Sequence, residues 1–243
     1  MKRINRNIQK RLAKIKRYFE VKEEERIYKS RNATSNYQIT SHKYMLNDKY
    51  DTHPFDAHYI YHPSWAIKIL KEINPKKHID ISSIMYFATM ASAFINVDYY
   101  DYRALHINLP NLRCKNADLT KLPFEDSSIE SISCMHTVEH IGLGRYGDTI
   151  DPDGDKKAIS ELQRVTKSKG DILFVVPVGK PKVVFNAHRV YKYFDIIKLF
   201  NSCGLKKFSV ILDNPKDGLL DNVPEKVINQ QNYACGCFWF KKN

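Results

Sequence analysis

The chain has 243 residues, 43% of them hydrophobic, and its five cysteines, Cys114, Cys134, Cys203, Cys235 and Cys237, are odd in number with no CxxC spacing. That is enough apolar material for one sizeable core, and it argues against a disulfide framework or a cysteine-knuckle zinc site. The formal charge is +12, of which Lys2, Arg3, Arg6, Lys10, Arg11, Lys14, Lys16 and Arg17 supply eight with no acid among them, so the basic character is concentrated at the N-terminus. No apolar run approaches the roughly 20 residues of a membrane span, and the first residues are too charged for a secretory signal. A cytoplasmic protein is expected.

In chain order, Ile4, Ile8, Leu12, Ile15 and Phe19 recur three or four residues apart, which places them on one face of a helix with cations around the others. A basic amphipathic helix over residues 1–30 follows. Through residues 1–19 it suits an anionic membrane surface, at the inner face of a membrane, or equally packing on its own domain or a second subunit. Nucleic acid is not expected as a partner, because aromatic and basic residues are not interleaved. Residues 31–63 read as an irregular, polar and aromatic lead-in that covers the mouth of a site.

Residues 64–243 then alternate regularly. Ser64 caps a helix to Ile73, which Pro75 ends. A strand His78 to Ser82, a helix Met85 to Ala93, and strands Val97 to Asp101, Cys114 to Ala117 and Ile129 to Met135 come next. A helix Asp155 to Lys167, a buried strand Asp171 to Pro177, a helix Val190 to Cys203, and strands Lys206 to Leu212 and Tyr233 to Lys241 complete the chain. The alternation predicts an α/β domain with a mostly parallel sheet and helices on both faces, and its ligands belong at the carboxyl ends of the strands.

Three pieces at strand ends carry a resemblance: HIDISS with Asp80, YYDYR with Asp101, and ADLTKLPFEDSSIESISCMHTVEH with Asp118. They resemble class I S-adenosylmethionine-dependent methyltransferases over residues 64 to 212. The resemblance implies a Rossmann-like three-layer sandwich with a seven-stranded sheet and a site for S-adenosylmethionine formed by Asp80, Ser82, Asp101, Asp118 and Leu119. A narrower likeness, in HTVEHIGLGRYGDTIDPDGD, PVG and FNAHRVY, is to an uncharacterised domain-of-unknown-function family of methyltransferase-like proteins, often found among surface-glycan genes. It implies an enzyme of polysaccharide biosynthesis acting on a hydroxyl of a sugar, nucleotide-sugar or lipid-linked glycan. The first loop departs from the pattern, because Ser82, Ile84 and Tyr86 stand where methyltransferases carry glycines. Their side chains are expected to fill the cradle, which leaves a shifted donor, another ligand or no ligand as alternatives. Glycosyl or phosphoryl processing without the methyl donor, and a non-catalytic assembly role, therefore stand beside methyl transfer.

His136, Glu139 and His140 follow the fourth central strand at the rim that faces an acceptor, and His136 is the first candidate base. Glu139 and His140 could instead fix the turn. Arg145, in the glycine-rich GLGRYGD, suits an anion clamp or a partner for the aspartates of its own loop. Tyr146, Asp148, Asn186, His188 and Arg189 would complete an acceptor pocket, or merely order their loops. Asp151 and Asp153 are candidate ligands for Mg2+, against the alternative of a turn and a helix cap.

Overall fold

The computed structural model describes residues 2–31, 37–49, 53–103 and 105–243, and the side chains of all of these except 2–7 and 10. Two compact units are present, residues 1–55 and 56–243.

In the first unit, α1 (Lys2–Arg31) is a single 30-residue helix. Its amino-terminal stripe is exposed at Ile8, Leu12, Ile15 and Phe19, while the side chain of Ile4 lies outside the described residues. Its later turns are held by Arg17 on Glu20 and Glu24, and by Lys22 and Lys29 on Glu25. Residues 37–49 have no regular structure and lie along these turns, with the Tyr44 hydroxyl donating to Glu25 at 2.8 Å and His42 2.9 Å from the same carboxylate.

The second unit opens with α2 (Ala57–Ile73), then β1 (Lys77–Ile81), α3 (Met85–Ser92), β2 (Asn96–Asp101), β3 (Leu112–Asn116) and β4 (Ile129–Met135). A 3-10 turn (Val138–His140), α4 (Gly154–Val165), β5 (Thr166–Val178), a hairpin of β6 (Lys182–Val184) and β7 (His188–Val190), and α5 (Tyr193–Leu199) follow. The chain closes with β8 (Cys203–Ile211), a 3-10 turn (Pro215–Asp217), β9 (Leu220–Asp221), α6 (Glu225–Ile228) and β10 (Ala234–Lys242).

The main sheet runs β3-β2-β1-β4-β5-β10-β8-β9. Its first five strands are parallel, and β10, β8 and β9 join antiparallel. Alternating side chains feed two cores. On one face, Ile79, Ile81, Ile132, Phe174 and Phe238 pack with Ile159 and Leu162 of α4 and Phe200 after α5. On the other, Val97, Leu173 and Trp239 pack with Trp65 and Leu70 of α2 and Phe87 of α3. The result is the expected three-layer Rossmann-like sandwich, with α2 and α3 covering one face and α4 and α5 the other, so that the central strands are buried on both sides while β3, at the edge, stays largely exposed.

Three boundaries differ from the sequence reading. The sheet has eight strands rather than seven, since two residues, Leu220 and Asp221, pair with Val210 and Ser209 at the edge. Helix α2 begins at Ala57 rather than after Ser64, so the α/β unit starts inside the segment expected to be irregular. Asp56 is the cap, its carboxylate accepting from the His58 and Tyr59 amides, and Pro63 lies inside the helix, where it supplies no amide to the Tyr59 carbonyl. The helix expected over Val190 to Cys203 is only α5, because Arg189 and Val190 pair into the β6–β7 hairpin first.

Candidate active site

The carboxyl ends of β1, β2, β3 and β4 converge on a cavity of about 220 Å3. Ser82, Asp101, Asp118 and Leu119 line one part of it, and His136, Thr137, His140, Tyr146 and Asp148 another. This is where an open α/β sheet presents ligands, since successive strand ends splay loops around a crevice. The Asp101 carboxylate takes the Arg103 amide at 2.8 Å and the Tyr99 hydroxyl at 3.2 Å. Asp118 Oδ1 takes both the amide and the hydroxyl of Thr120, at 2.8 and 2.7 Å. Both carboxylates are thereby held in fixed orientations on the cavity wall.

The cradle is not filled, contrary to the expectation from the missing glycines. Ser82 adopts φ 53, the left-handed conformation that glycine normally supplies, with its amide on Tyr100 O at 2.7 Å and its hydroxyl on the same carbonyl at 3.2 Å. Ile84 sits at the cap of α3 and packs against the second core, and Tyr86 is 74% exposed. Neither lines the cavity. The turn is made at Ser82, so the two bulky side chains leave on the helix rather than into the crevice.

Several candidates have structural duties instead. Asp80 does not reach the cavity: it is wholly buried between β1 and β4, where Ser133 donates to its Oδ1 and His78 Nε2 stands 2.8 Å from the same serine hydroxyl. Desolvation raises its carboxyl to about 7. Asp148 is turned back onto its own loop, accepting from the amides of Gly142 at 2.7 Å and Tyr146 at 3.2 Å. Arg145 is paired with no aspartate of its loop among the described residues and donates to Ala187 O at 3.1 Å, with His140 Nδ1 3.2 Å from the same nitrogen. Arg189 is buried, donating to Ile141 O at 2.6 Å and Pro152 O at 3.3 Å beside Asp155, so it ties the hairpin to the glycine loop rather than facing an acceptor. Asn186 lies in the exposed tip of the β6–β7 hairpin. Asp151, which lines the cavity, and Asp153 are each paired with a lysine, Lys157 and Lys156, at 2.6 Å, and Asp151 also accepts from the Asp153 amide, so each has a counter-charge supplied by the chain.

His136 lines the cavity, yet its side chain is only 2% exposed and both ring nitrogens are engaged. Nδ1 donates to Glu139 Oε1 at 2.9 Å, which fixes the tautomer, and Nε2 faces the sulfur of Cys235 at 3.3 Å. It is therefore not a free base for an acceptor. His140 suits that chemistry better. Its Nδ1 lies 2.6 Å from Ala187 O, which only accepts, and 3.2 Å from Arg145 Nη1, which only donates; the shorter contact favours the proton on Nδ1 and leaves Nε2 its lone pair. Desolvation by burial lowers its pKa, against the pull of Glu139, whose Oε1 lies 3.8 Å from Nε2.

Around His136 stands a group of rings that sequence reasoning missed. His58 stacks on it with centroids 5.4 Å apart, His62 meets it edge-on at 5.1 Å, and Tyr59 is tilted against it at 5.4 Å. Tyr233 stacks on His58 at 5.5 Å and meets His188 at 4.6 Å, which brings that predicted residue into the same group. The signal was HYIYH, whose histidines are four apart and share a helix face, but it fell in the stretch read as irregular.

Sheet order, layers and crevice together make this the fold of class I S-adenosylmethionine-dependent methyltransferases. The chain is similar to the YcgJ protein of Bacillus subtilis at 15% identity, with TM-score 0.53 over 74% of this chain and 97% of that one. It is similar to a 1,6-didemethyltoxoflavin-N1-methyltransferase from Burkholderia thailandensis, solved with S-adenosylhomocysteine, at 11% identity and TM-score 0.53 over 77% and 78%. A SAM-dependent methyltransferase from Methanosarcina mazei matches at 15% identity and TM-score 0.50 over 72% and 96%. In sequence, residues 119–216 match a family described as Caenorhabditis protein of unknown function, DUF268. No curated protein matches the chain.

Proposed function

We propose that the chain is a methyltransferase-like enzyme that takes S-adenosylmethionine in the cavity and acts on a hydroxyl of a sugar, nucleotide-sugar or lipid-linked glycan in surface-polysaccharide biosynthesis. The observation that carries this reading is the open crevice in which Asp101 and Asp118 stand on consecutive strand ends, with Ser82 in a glycine-like conformation. Asp101 suits the ribose hydroxyls of the donor, Asp118 its adenine amine, and Leu119 the adjoining apolar wall. The donor supplies an electrophilic methyl group on a sulfonium. His140 accepts the proton of the acceptor hydroxyl at Nε2, and the carboxylate of Glu139 stabilises the imidazolium that forms. Tyr59, His188 and Tyr233, grouped around His58 and His136, offer apolar faces with polar edges, a surface suited to a sugar ring. A lipid-linked acceptor agrees with the exposed apolar stripe and cations of α1, and among the described residues no helix is long and apolar enough to cross a membrane.

Calorimetric titration with S-adenosylmethionine and S-adenosylhomocysteine tests the donor. Micromolar binding to the native chain, lost in Asp101→Ala, is expected. Absence of binding at millimolar ligand overturns the donor reading and turns attention to nucleotide-sugars and glycan phosphates.

A further inference from the structure

We propose that His58, His136 and Cys235 form a zinc site bordering the cavity, with three protein ligands and one position left for an oxygen of water or substrate. One ring nitrogen from each histidine and the Cys235 sulfur all lie within 4.8 Å of one another. In a tetrahedral zinc site with bonds of about 2.0–2.3 Å, ligand atoms are about 3.4–3.6 Å apart. The pair formed by His136 Nε2 and Cys235 Sγ is already at 3.3 Å, and a turn of the His58 ring toward that pair closes the set.

The surroundings are those of a metal site. His136 donates its Nδ1 proton to Glu139, a wholly buried carboxylate, which leaves the Nε2 lone pair directed at the sulfur. A carboxylate behind a ligating imidazole sets its tautomer and raises its basicity. Cys235 is on β10, paired to Pro177 of β5 on one side and Ile211 of β8 on the other, so its sulfur is held by a two-sided ladder. A third histidine adds an independent observation. His62 is wholly buried beside His136, its Nδ1 donates to His58 O at 2.6 Å, and its Nε2 has no hydrogen-bond partner among the described residues. An imidazole nitrogen in that state completes its bonding with a ligand or water held at the site.

Two imidazoles and a thiolate select zinc over Mg2+ or Ca2+, which take oxygen ligands. Binding forms two metal–nitrogen bonds and one metal–sulfur bond, and the Cys235 thiol proton is released to solvent. The half-buried His58, on the first turn of α2, leaves the open position accessible. The inference does not rest on the methyl donor, because none of the three ligands is assigned to it.

The test is titration of the chelator-stripped full chain with Co2+, followed by displacement with Zn2+. Binding of about one equivalent, with the strong visible bands of four-coordinate cobalt and a near-ultraviolet thiolate charge-transfer band, is expected. Cys235→Ser abolishes the charge-transfer band, whereas Cys237→Ser, removing the thiol 3.8 Å away, leaves it. His58→Asn weakens zinc binding by about tenfold or more but keeps the band at saturating cobalt, and circular dichroism melts report the folding of each variant. If Cys235→Ser fails to fold, His58→Asn decides. A native chain that takes up no stoichiometric cobalt, a band that persists in folded Cys235→Ser, or unchanged zinc affinity in His58→Asn overturns the site.

Discussion

At the residue scale, the buried pair of His78 and Asp80 shows how differently two titratable groups behave when a sheet encloses both. Desolvation alone lowers His78 to about 3, so it stays neutral, while desolvation raises Asp80 to about 7 despite its serine hydrogen bonds. For Asp80 the folded pKa lies above the ordinary carboxyl value. Its contribution to stability is therefore complete below about 4 and is lost as pH rises through 7. Asp80→Asn keeps an acceptor for Ser133 without the charge, so its stability relative to the native chain should rise by on the order of 2 kcal/mol between pH 5 and pH 8. Urea denaturation at the two pH values measures this, and parallel stability curves would refute it. His58 is the opposite case, lowered to about 4 mainly by burial, so the stability of the neutral ring is complete above about 6.5 and falls toward pH 4.

At the element scale, the loop between the 3-10 turn and α4 is shaped by close packing of backbone on backbone. Gly142 has φ 77, and a Cβ there would meet the Asp151 carbonyl oxygen at 2.0 Å. Gly147 has φ 87 with nothing among the described residues within 4 Å of the same position. Both substitutions to alanine are strained by the left-handed backbone, at about 1–2 kcal/mol, and only Gly142→Ala must also displace the neighbouring strand of loop. Gly142→Ala is thus expected to lower the melting temperature distinctly more than Gly147→Ala, and equal losses in thermal melts would show that the loop yields freely. The same loop bears on the two readings of its aspartates, a cation site or a turn and a helix cap. Four carboxylates within eight residues look like a cation site, but each has a donor supplied by the fold: loop amides for Asp148, lysines for Asp151 and Asp153, and Tyr191 for Asp155.

At the scale of the whole molecule, the α/β unit and α1 make separate demands on their surroundings. In α1, Leu12 is 60% exposed and Phe19 66%, and each is worth about 1.5–3 kcal/mol when buried. Binding to vesicles containing anionic lipid should therefore fall by well over tenfold in the Leu12→Glu, Phe19→Glu double variant, and should weaken with salt in the native chain. Flotation of the two proteins with liposomes measures it. Equal, salt-independent recovery of both, or no recovery of the native chain, would assign the stripe to a protein partner.

What the sequence determined by itself is the part of the protein that periodicity and local chemistry carry. The alternation of strands and helices, the strand Ile129–Met135 and the amphipathic pattern of α1 were legible because each depends on residues near it in the chain, and the resemblance to methyltransferases singled out Asp101, Asp118 and Leu119, which line the crevice. Tertiary structure alone decided that Asp80 is enclosed while Asp101 lines the crevice, since burial depends on what β4 and its serines place beside it. It likewise decided that a serine at φ 53 could replace a glycine and that bulky residues after it could leave the cradle open. The meeting of His58, His136 and Cys235 is of the same kind. Those residues are separated by up to 177 positions in sequence, and only the docking of α2 over β4 and β10 brings their ligand atoms together.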